Sequence, residues 1–290
     1  MYKVDNAVIM AAGASSRFAP LSYERPKALI EVKGEILIER QIRQLQEAGV
    51  PEIYIVTGYK AELFDYLREK FGVHLVENKE YLSKNNHSSI YAVRDVLRNT
   101  YICSADNYFT KNPFESRVDD SYYAAQYSDG HTNEWCMMTN DDGYITHVQI
   151  GGSNAWYMLG HAFWNEKFSS KFISILSQVY DNPETRDLFW EDIYISNIHQ
   201  LNMQMRKYKN DEIFEFDSID ELRSFDTTYI EDTRSIILKN ISKQLGGKES
   251  EITNIRAYKG VTTTAAGIRF EFRSHQYEYA YSDKIVRIIE

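Results

Sequence analysis

The feature that most constrains the fold is the alternation of strand and helix signals in the first third of the chain. Residues 7–12 (AVIMAA) suit a buried parallel strand, and residues 36–48 place their apolar side chains on one helical face. Further strands are predicted at 53–57, 73–76 and 101–104, and further helices at 61–71 and 88–97. Such an alternation predicts an α/β fold with a doubly wound, mostly parallel sheet, in which ligands bind beyond the carboxyl ends of the strands.

The pattern changes from residue 122 onward, where short strand-like runs replace the strict alternation. Asp142-Gly143 is a good hairpin turn between two of these runs, and Ser218 with Glu221 resembles a capping box at a helix start. We therefore predict a mixed, mostly parallel, Rossmann-like sheet for a domain of residues 1–230. The later elements are strands at 122–127, 135–139, 144–150, 203–208 and 213–216, and helices at 166–179, 184–198 and 218–225.

Residues 231–290 are predicted to form a small α+β appendage at the C-terminus. A helix at 234–245 is followed by strand-like runs at 252–258, 268–272, 277–281 and 285–289. This segment contains no cluster of residues that indicates catalysis by itself. A vestige, a dimerisation element and a lid all remain open as its role.

The loop after the first strand, residues 11–27 (AAGASSRFAPLSYERPK), has the composition of a phosphate site. Gly13 lets backbone N–H groups turn toward a phosphate, Ser15 adds a hydroxyl donor, and Arg17 and Lys27 supply positive charge. The alternative is an ordinary turn with surface charges. The loop lacks the GK[ST] of a Walker motif and the GxGxxG of a dinucleotide fingerprint.

Composition excludes several classes of protein. The formal net charge of −9 argues against general binding to nucleic acid or to an anionic membrane. No apolar run approaches a membrane span, and the N-terminus lacks the shape of a signal peptide. Cys103 and Cys136 have no CxxC spacing, so we expect a cytoplasmic protein with neither a disulfide framework nor a zinc site.

The string MAAGASSRFAPLSYERPKAL resembles the signature of nucleotidyltransferases that activate sugar-1-phosphates and related phosphorylated alcohols. That family usually has a second glycine where Ser15 stands. Further motifs are similar to those of bacterial CTP:phosphocholine cytidylyltransferases, and the likeness spans about residues 8–225. In chain order these motifs are NN at 85–86, SIY at 89–91, SADNY at 104–108, TNEW at 132–135, DLFW at 187–190 and FEFDS at 214–218.

This resemblance implies transfer of a cytidylyl group from CTP to phosphocholine, with Mg²⁺ as cofactor and CDP-choline and pyrophosphate as products. It implies that Arg17 and Lys27 stabilise the triphosphate. The remaining nucleotide contacts that it implies come mostly from the main chain of the loop, and they are Ala11, Ala12, Gly13, Ala14, Ser15, Asn86, Ser89 and Asp106.

Three acids, Asp106, Glu215 and Asp217, are implied by the resemblance to be the Mg²⁺ ligands. Mg²⁺ prefers hard oxygen ligands and usually takes one or two protein carboxylates together with substrate phosphates. Each acid follows a short predicted strand. The alternative is that they are ordinary loop acids, and Asp217 in particular directly precedes a predicted helix.

An aromatic and acidic set is implied to bind the acceptor: Trp135, Phe189, Trp190, Glu191 and Asp192. A quaternary ammonium has no N–H to donate, so aromatic faces and a carboxylate recognise it, at about 0.5–2 kcal/mol for each cation–π contact. The alternative is ordinary packing. Phe189 stands where relatives often have tyrosine, and Glu191 lengthens an acid that is shorter elsewhere.

Other functions remain open at this point. The same chemistry is compatible with phosphoethanolamine, 2-aminoethylphosphonate or a sugar-1-phosphate as acceptor. A non-catalytic nucleotide-binding regulatory protein is an alternative of another class. The sequence leaves the base preference and a homodimer undecided.

Overall fold

The computed structural model describes residues 1–259 and 265–289. Residues 260–264 and 290 of the predicted appendage lie outside the described residues. Within the described ranges, no helix combines the length and the apolar character that crossing a membrane requires.

The strands are longer in the middle of the chain than the sequence predicts. The predicted runs at 122–127 and 135–139 are parts of one strand, and the run at 144–150 extends to residue 164. In chain order the strands are β1 Tyr2–Lys3, β2 Asn6–Ala11, β3 Glu31–Val32, β4 Glu35–Ile36, β5 Ile53–Thr57, β6 His74–Glu77, β7 Thr100–Ser104, β8 Tyr108–Phe109, β9 Arg117–Val118, β10 Tyr122–Thr139, β11 Ile145–Trp164, β12 Gln204–Lys207, β13 Ile213–Phe214, β14 Ile252–Lys259, β15 Ala265–Phe272, β16 His275–Ala280 and β17 Val286–Ile288.

The helices agree with most of the predicted ones and are generally shorter. The predicted helix at 184–198 is reduced to residues 190–196, preceded by a 3-10 turn at Pro183–Thr185. In chain order the α-helices are α1 Leu21–Glu24, α2 Leu37–Glu47, α3 Tyr66–Phe71, α4 His87–Ala92, α5 Glu166–Val179, α6 Trp190–Ser196, α7 Ile219–Phe225, α8 Thr228–Glu231 and α9 Ile236–Leu245.

The chain forms two compact units. The first comprises residues 1–13 and 40–214, and the second comprises residues 14–39 and 215–290. The second unit thus combines the predicted appendage with most of the loop that follows β2. The predicted domain boundary after residue 230 falls inside this unit, and a separate domain of residues 231–290 stays a prediction.

The first unit is built on a seven-stranded sheet of order β12-β10-β11-β7-β2-β5-β6. The pairs β10–β12, β7–β2, β2–β5 and β5–β6 are parallel, whereas β10–β11 and β11–β7 are antiparallel. The prediction of a doubly wound, mixed, mostly parallel sheet is therefore confirmed. The strands of the predicted alternation form its β7-β2-β5-β6 half.

The core of the first unit contains large aromatic side chains between the sheet and helices α5 and α6. Trp164 and Phe172 are fully buried, with ring centroids 4.6 Å apart. Trp190 packs on Trp164 at 5.0 Å and on Tyr123 at 5.5 Å. Burial of one such ring removes roughly 150–250 Å² from water, so this cluster anchors α6 firmly to the sheet.

The second unit has its own sheet and core. Strands β14-β15-β16-β17 form an antiparallel sheet, and β3 pairs with β4 in a short hairpin. Leu238 and Ile241 of α9 are buried, as are Ile252 and Ile268 of the sheet. The helix and strands of the α+β segment that the sequence predicts at the C-terminus are confirmed, and the structure shows that the strands form a small antiparallel sheet.

Candidate active site

The start of helix α6 is joined to the residue before helix α4, both in the first unit. The backbone N–H of Trp190 donates to Asn86 Oδ1 at 2.7 Å, and Asn86 Nδ2 donates to Glu191 Oε2 at 3.2 Å. Both ends of the Asn86 amide therefore hold the segment that the sequence assigns to the acceptor. A second link runs from Asn85 Nδ2 to the carbonyl of Asp187 at 2.9 Å.

Glu191 carries a strongly perturbed carboxyl group. Its other oxygen accepts from the Tyr123 hydroxyl at 3.0 Å. Burial raises the pKa of Glu191 from 4.5 to about 7, and the hydrogen bonds from Asn86 and Tyr123 only partly oppose that increase. A cationic ligand would stabilise the ionised form of this half-buried carboxyl group, because a nearby opposite charge favours ionisation.

Two aromatic rings of the predicted acceptor set, one half-buried and one exposed, contact each other near this segment. Trp135 and Phe189 meet edge to face, with centroids 5.9 Å apart, and Phe189 is 44% exposed. Trp190 differs from them because its ring is only 1% exposed and belongs to the aromatic core. A direct contact of Trp190 with the acceptor stays a prediction. Its observed packing on Tyr123 and Trp164 anchors the start of α6 to the core.

Asp192 and Ser89 are both engaged with protein groups in the first unit. Asp192 Oδ2 accepts from the backbone N–H of Phe189 at 2.7 Å and so caps the first turn of α6. Ser89 is buried, and its hydroxyl accepts from Asn78 Nδ2 at 3.1 Å. Their ligand contacts stay predictions, whereas their observed bonds fix the two helix starts.

The remaining predicted residues of the first unit lie at the carboxyl ends of neighbouring strands. Ala11 is the last residue of β2, and the carbonyl of Ala12 accepts from the N–H of Tyr59 at 3.0 Å. Asp106 is half-buried just beyond β7, which pairs with β2. The topology thus places Asp106 beside the start of the loop formed by residues 11–27, the nucleotide loop, as expected for such sheets.

The second unit brings Arg17 and Asp217 together. Arg17 Nη1 lies 2.5 Å from Asp217 Oδ2, and both side chains are partly exposed. Glu215 is exposed after β13, and its role as a third ligand stays a prediction. The N–H of Asp217 donates to Glu221 Oε2 at 2.8 Å, while Ser218 accepts from the N–H of Glu221, which fixes the start of α7.

Lys27 is buried, and its ammonium lies 5.6 Å from the centroid of Phe18. Ser15, near the other end of the loop, has φ of 46° and ψ of 49°, which is the left-handed region. Gly13 does not have positive φ. The strained position in the loop is therefore Ser15, where the related enzymes usually have glycine, since glycine adopts this conformation without a steric cost.

The metal ligands implied by the sequence fit Mg²⁺ in their chemistry, because all are carboxylates and offer hard oxygen donors. Among residues 1–259 and 265–289, no group of three or more His, Cys, Asp or Glu side chains is placed to hold a metal ion. One or two protein carboxylates usually suffice for Mg²⁺ when substrate phosphates complete the shell, so the metal roles of Asp106, Glu215 and Asp217 stay predictions.

Sequence reasoning missed Tyr123. This residue lies in the buried first part of β10, whose residues give no sign of a functional contact. Its hydroxyl bond to Glu191 and its ring contact with Trp190 arise only from the packing of α6 on the sheet. We found no signal in the sequence that identifies it.

Comparison with known proteins agrees with this architecture. Residues 7–127 match the model of the MobA-like NTP transferase domain. The choline-phosphate cytidylyltransferase of Streptococcus pneumoniae is 36% identical over 220 residues, which cover 76% of this chain and 96% of that protein. The chain belongs to the family of bacterial choline-phosphate cytidylyltransferases. It is a nucleotidyltransferase, as the sequence predicts.

Two further members of the comparison refine this assignment to the cytidylyltransferase family. A solved structure of the CTP:phosphocholine cytidylyltransferase of Streptococcus pneumoniae has a TM-score of 0.75, at 36% identity, and covers 78% of this chain and 99% of that one. The 2-aminoethylphosphonate cytidylyltransferase of Lancefieldella rimae is 39% identical over 78% of this chain and 93% of that protein. Overall identity therefore does not separate the two acceptors, and the acceptor side of the site has to do so.

Proposed function

We propose that this protein transfers the cytidylyl group of CTP to phosphocholine, giving CDP-choline and pyrophosphate. The observation that carries this proposal is the half-buried carboxyl group of Glu191, two residues after Phe189, whose exposed ring contacts Trp135 in the first unit. The cytidylyltransferase relatives support the same reaction. A cytoplasmic location, in which CTP and phosphorylated metabolites are available, is part of the proposal.

The hydrogen bonds around Glu191 favour a quaternary over a primary ammonium. A primary ammonium offers three N–H donors and needs an acceptor for each. Each oxygen of Glu191 already accepts one hydrogen bond, from Asn86 or Tyr123, and one oxygen of Asp192 accepts from the N–H of Phe189, so fewer acceptor positions are left for those donors. A trimethylammonium group needs only the negative charge of Glu191 and the faces of aromatic rings such as Trp135.

The reaction requires little proton transfer. A phosphate oxygen of the acceptor forms a bond to the α-phosphorus of CTP, and the bond from that phosphorus to the bridging oxygen breaks. Pyrophosphate leaves with the electron pair. A phosphate monoester is mostly ionised at neutral pH, so positioning and charge neutralisation by Arg17 and Lys27 account for catalysis in this proposal.

Nucleotidyltransferases of this family generally use a divalent metal. We propose Mg²⁺, held by Asp106 and Asp217 with Glu215 as a further candidate. When bound, Mg²⁺ supplies charge neutralisation on the phosphates. The residues of the chain bind and orient the two substrates around it.

A second acceptor, 2-aminoethylphosphonate, is favoured by one specific observation, the 39% identity to the Lancefieldella rimae enzyme. Its phosphonate oxygen attacks the α-phosphorus in the same way. Its primary ammonium would pair directly with the Glu191 carboxylate, and in that case the exposed aromatic rings would contribute less.

The test is a matrix of CTP, UTP, ATP and GTP against four acceptors in the presence of Mg²⁺, with pyrophosphate release as the readout. The acceptors are phosphocholine, phosphoethanolamine, 2-aminoethylphosphonate and glucose-1-phosphate. We expect the highest kcat/KM for CTP with phosphocholine. A tenfold higher kcat/KM with another acceptor would identify that acceptor as the substrate in place of phosphocholine. Absence of pyrophosphate release with every nucleotide–acceptor pair would indicate a non-catalytic nucleotide-binding protein.

A further inference from the structure

Most of the nucleotide loop folds with the C-terminal part of the chain. Residues 14–39 and 215–290 form one compact unit, although the sequence predicts that the tail is an appendage. The alignment with the choline-phosphate cytidylyltransferase of Streptococcus pneumoniae covers 96% of that protein but only 76% of this chain. This chain therefore contains residues with no counterpart in that relative, and the contacts within the second unit show what the tail holds.

The first contact joins the loop to helix α9. Glu24 is the last residue of α1, three positions before Lys27. Its carboxylate accepts from the N–H of Ile237 at 2.7 Å, from the Ser235 hydroxyl at 3.0 Å and from the N–H of Ile236 at 3.2 Å. An acid of the loop thus satisfies donors at the start of a tail helix, where backbone N–H groups lack partners within the helix.

Helix α9 is a firm anchor for this bond. It is ten residues long, its own N-cap Ser235 accepts from the N–H of Leu238, and Leu238 and Ile241 are fully buried. Ser235 is itself fully buried. The carboxylate of Glu24 is therefore held by a rigid, buried helix start.

The segment after Lys27 is also bonded to residues in the C-terminal part of the second unit. The Tyr229 hydroxyl donates to the carbonyl of Glu31 at 2.6 Å, and Asp226 Oδ2 accepts from the N–H of Lys33 at 2.7 Å. The Glu31 carbonyl and the Lys33 N–H both belong to the β3–β4 hairpin region. This region directly follows the turn that begins at Lys27. Lys27 is thus bracketed by Glu24 before it and by the hairpin after it.

The tail also fixes the element that bears Asp217. Arg223 of α7 is buried and donates to the carbonyl of Ile252 at 2.6 Å and to that of Glu249 at 2.7 Å. Ile252 is the first residue of β14, and Glu249 lies in the 3-10 turn just before it. Helix α7, whose first turn follows Asp217, is therefore tied to β14 through a buried guanidinium group.

We propose that Glu24 is a positioning residue for the nucleotide loop and that the tail, through α9, is a structural part of the nucleotide site. This inference rests on the proposed nucleotide role of Arg17 and Lys27. Glu24 acts through its bonds to α9 and sets where the segment from Arg25 to Lys27 runs. Loss of these bonds moves Lys27 relative to the triphosphate and leaves the acceptor residues of the first unit intact.

The test compares Glu24→Ala and Glu24→Gln in the full-length protein. Glu24→Ala removes the acceptor oxygens, and we expect kcat/KM for CTP to fall by about tenfold or more. Glu24→Gln keeps one oxygen that accepts from N–H groups, so we expect part of this loss to be recovered. The KM for phosphocholine is expected to change less than twofold in both variants.

A matched control for Glu24→Ala is Glu251→Ala. Glu251 belongs to the same tail, pairs with Arg273 and accepts from the N–H of Lys248 at 2.8 Å, so its loss removes a comparable set of contacts. We expect wild-type kinetic constants for this control. Binding of CTP measured by calorimetry without acceptor gives a readout independent of turnover, and we expect weaker binding only in the Glu24 variants.

The outcomes separate this inference from the proposed function. A wild-type protein without pyrophosphate release or CTP binding would overturn the proposed function and the inference with it. An active wild-type protein with unchanged kcat/KM for CTP and unchanged CTP affinity in Glu24→Ala would overturn the inference alone. A lowered Tm with unchanged kcat/KM for both substrates would also overturn it, because it would show a role in stability only.

Discussion

Arg17 and Asp217 form an ion pair at 2.5 Å although 200 positions separate them in the chain. Both side chains are well exposed, at 77% and 39%. An exposed pair of this kind contributes only about 0–1 kcal/mol to stability. We propose that its role is functional, because it would hold the cation that is predicted to bind the triphosphate beside a candidate metal ligand before either substrate binds.

Replacement of Asp217 by asparagine is therefore expected to leave stability almost unchanged and to reduce turnover by orders of magnitude. The measurements are the Tm and kcat at saturating CTP and Mg²⁺. The matched control is Asp283→Asn, since Asp283 has a 38% exposed side chain in an ion pair with Arg287 and is far from the loop in sequence. Equal turnover in the two variants would contradict a role for Asp217 in the reaction.

Asp106→Ala is expected to reduce turnover by orders of magnitude without unfolding the protein, because the loss of a metal carboxylate removes charge neutralisation at the reacting phosphates. The dependence of the rate on Mg²⁺ concentration is expected to shift to higher values. Asp142→Ala in the exposed hairpin turn is the control. Near-normal turnover in Asp106→Ala would rule out its assignment as a metal ligand.

Glu191→Gln tests the perturbed carboxyl group. Between pH 4.5 and about 7 the unfolded chain has lost the proton that the folded protein retains, so this group lowers the free energy of unfolding as pH rises through that range. Glutamine removes this penalty, and we expect the variant to be more stable than wild type at pH 8 and similar at pH 4. Thermal melts at both pH values measure this difference.

The same variant has the opposite effect on the acceptor. The ionised carboxylate of Glu191 attracts an ammonium, so in the wild type the KM for phosphocholine is expected to fall as pH rises through about 7. Phosphocholine itself also titrates near this range. The comparison with Glu191→Gln isolates the protein group, and an identical pH dependence of KM in both proteins would exclude Glu191 from acceptor binding.

The two tryptophans of the predicted acceptor set are expected to behave differently. Trp190→Ala removes a ring that is 1% exposed and should destabilise the protein by about 3–5 kcal/mol. Trp135→Ala should change stability much less and raise the KM for phosphocholine more than that for 2-aminoethylphosphonate. Denaturant unfolding and kinetics with both acceptors measure these effects, and an equal increase in both KM values would argue against an aromatic cage.

Ser15→Gly is expected to stabilise the loop. A non-glycine residue in the left-handed region costs about 1–2 kcal/mol, which is partly offset because glycine gives the unfolded chain more freedom. Ser15→Ala keeps the side-chain strain and removes only the hydroxyl, so it is the control. A loss of stability in Ser15→Gly comparable to that in Ser15→Ala would show that the hydroxyl, and not the backbone, decides this position.

Much of the fold and part of the site were predictable from local pattern. The alternation in residues 7–104 predicts the β7-β2-β5-β6 half of the sheet, because apolar runs and helical faces repeat with the period of their element. Ser218 indicates the start of α7, and it accepts from the N–H of Glu221 as expected. The loop at 11–27 indicates a phosphate site because its glycine, hydroxyl and basic residues are contiguous.

The sequence alone thus determined the α/β architecture, the nucleotide loop and the class of reaction, since each depends on residues close together in the chain. Only the tertiary structure decided which distant residues meet. Tyr123 reaches Glu191, Trp190 turns into the core, and Glu24 caps α9, because strand register and helix packing set these contacts. No local periodicity encodes such contacts, and for that reason the hydrogen bonds between Glu24 of the loop and α9 appear only in the tertiary structure.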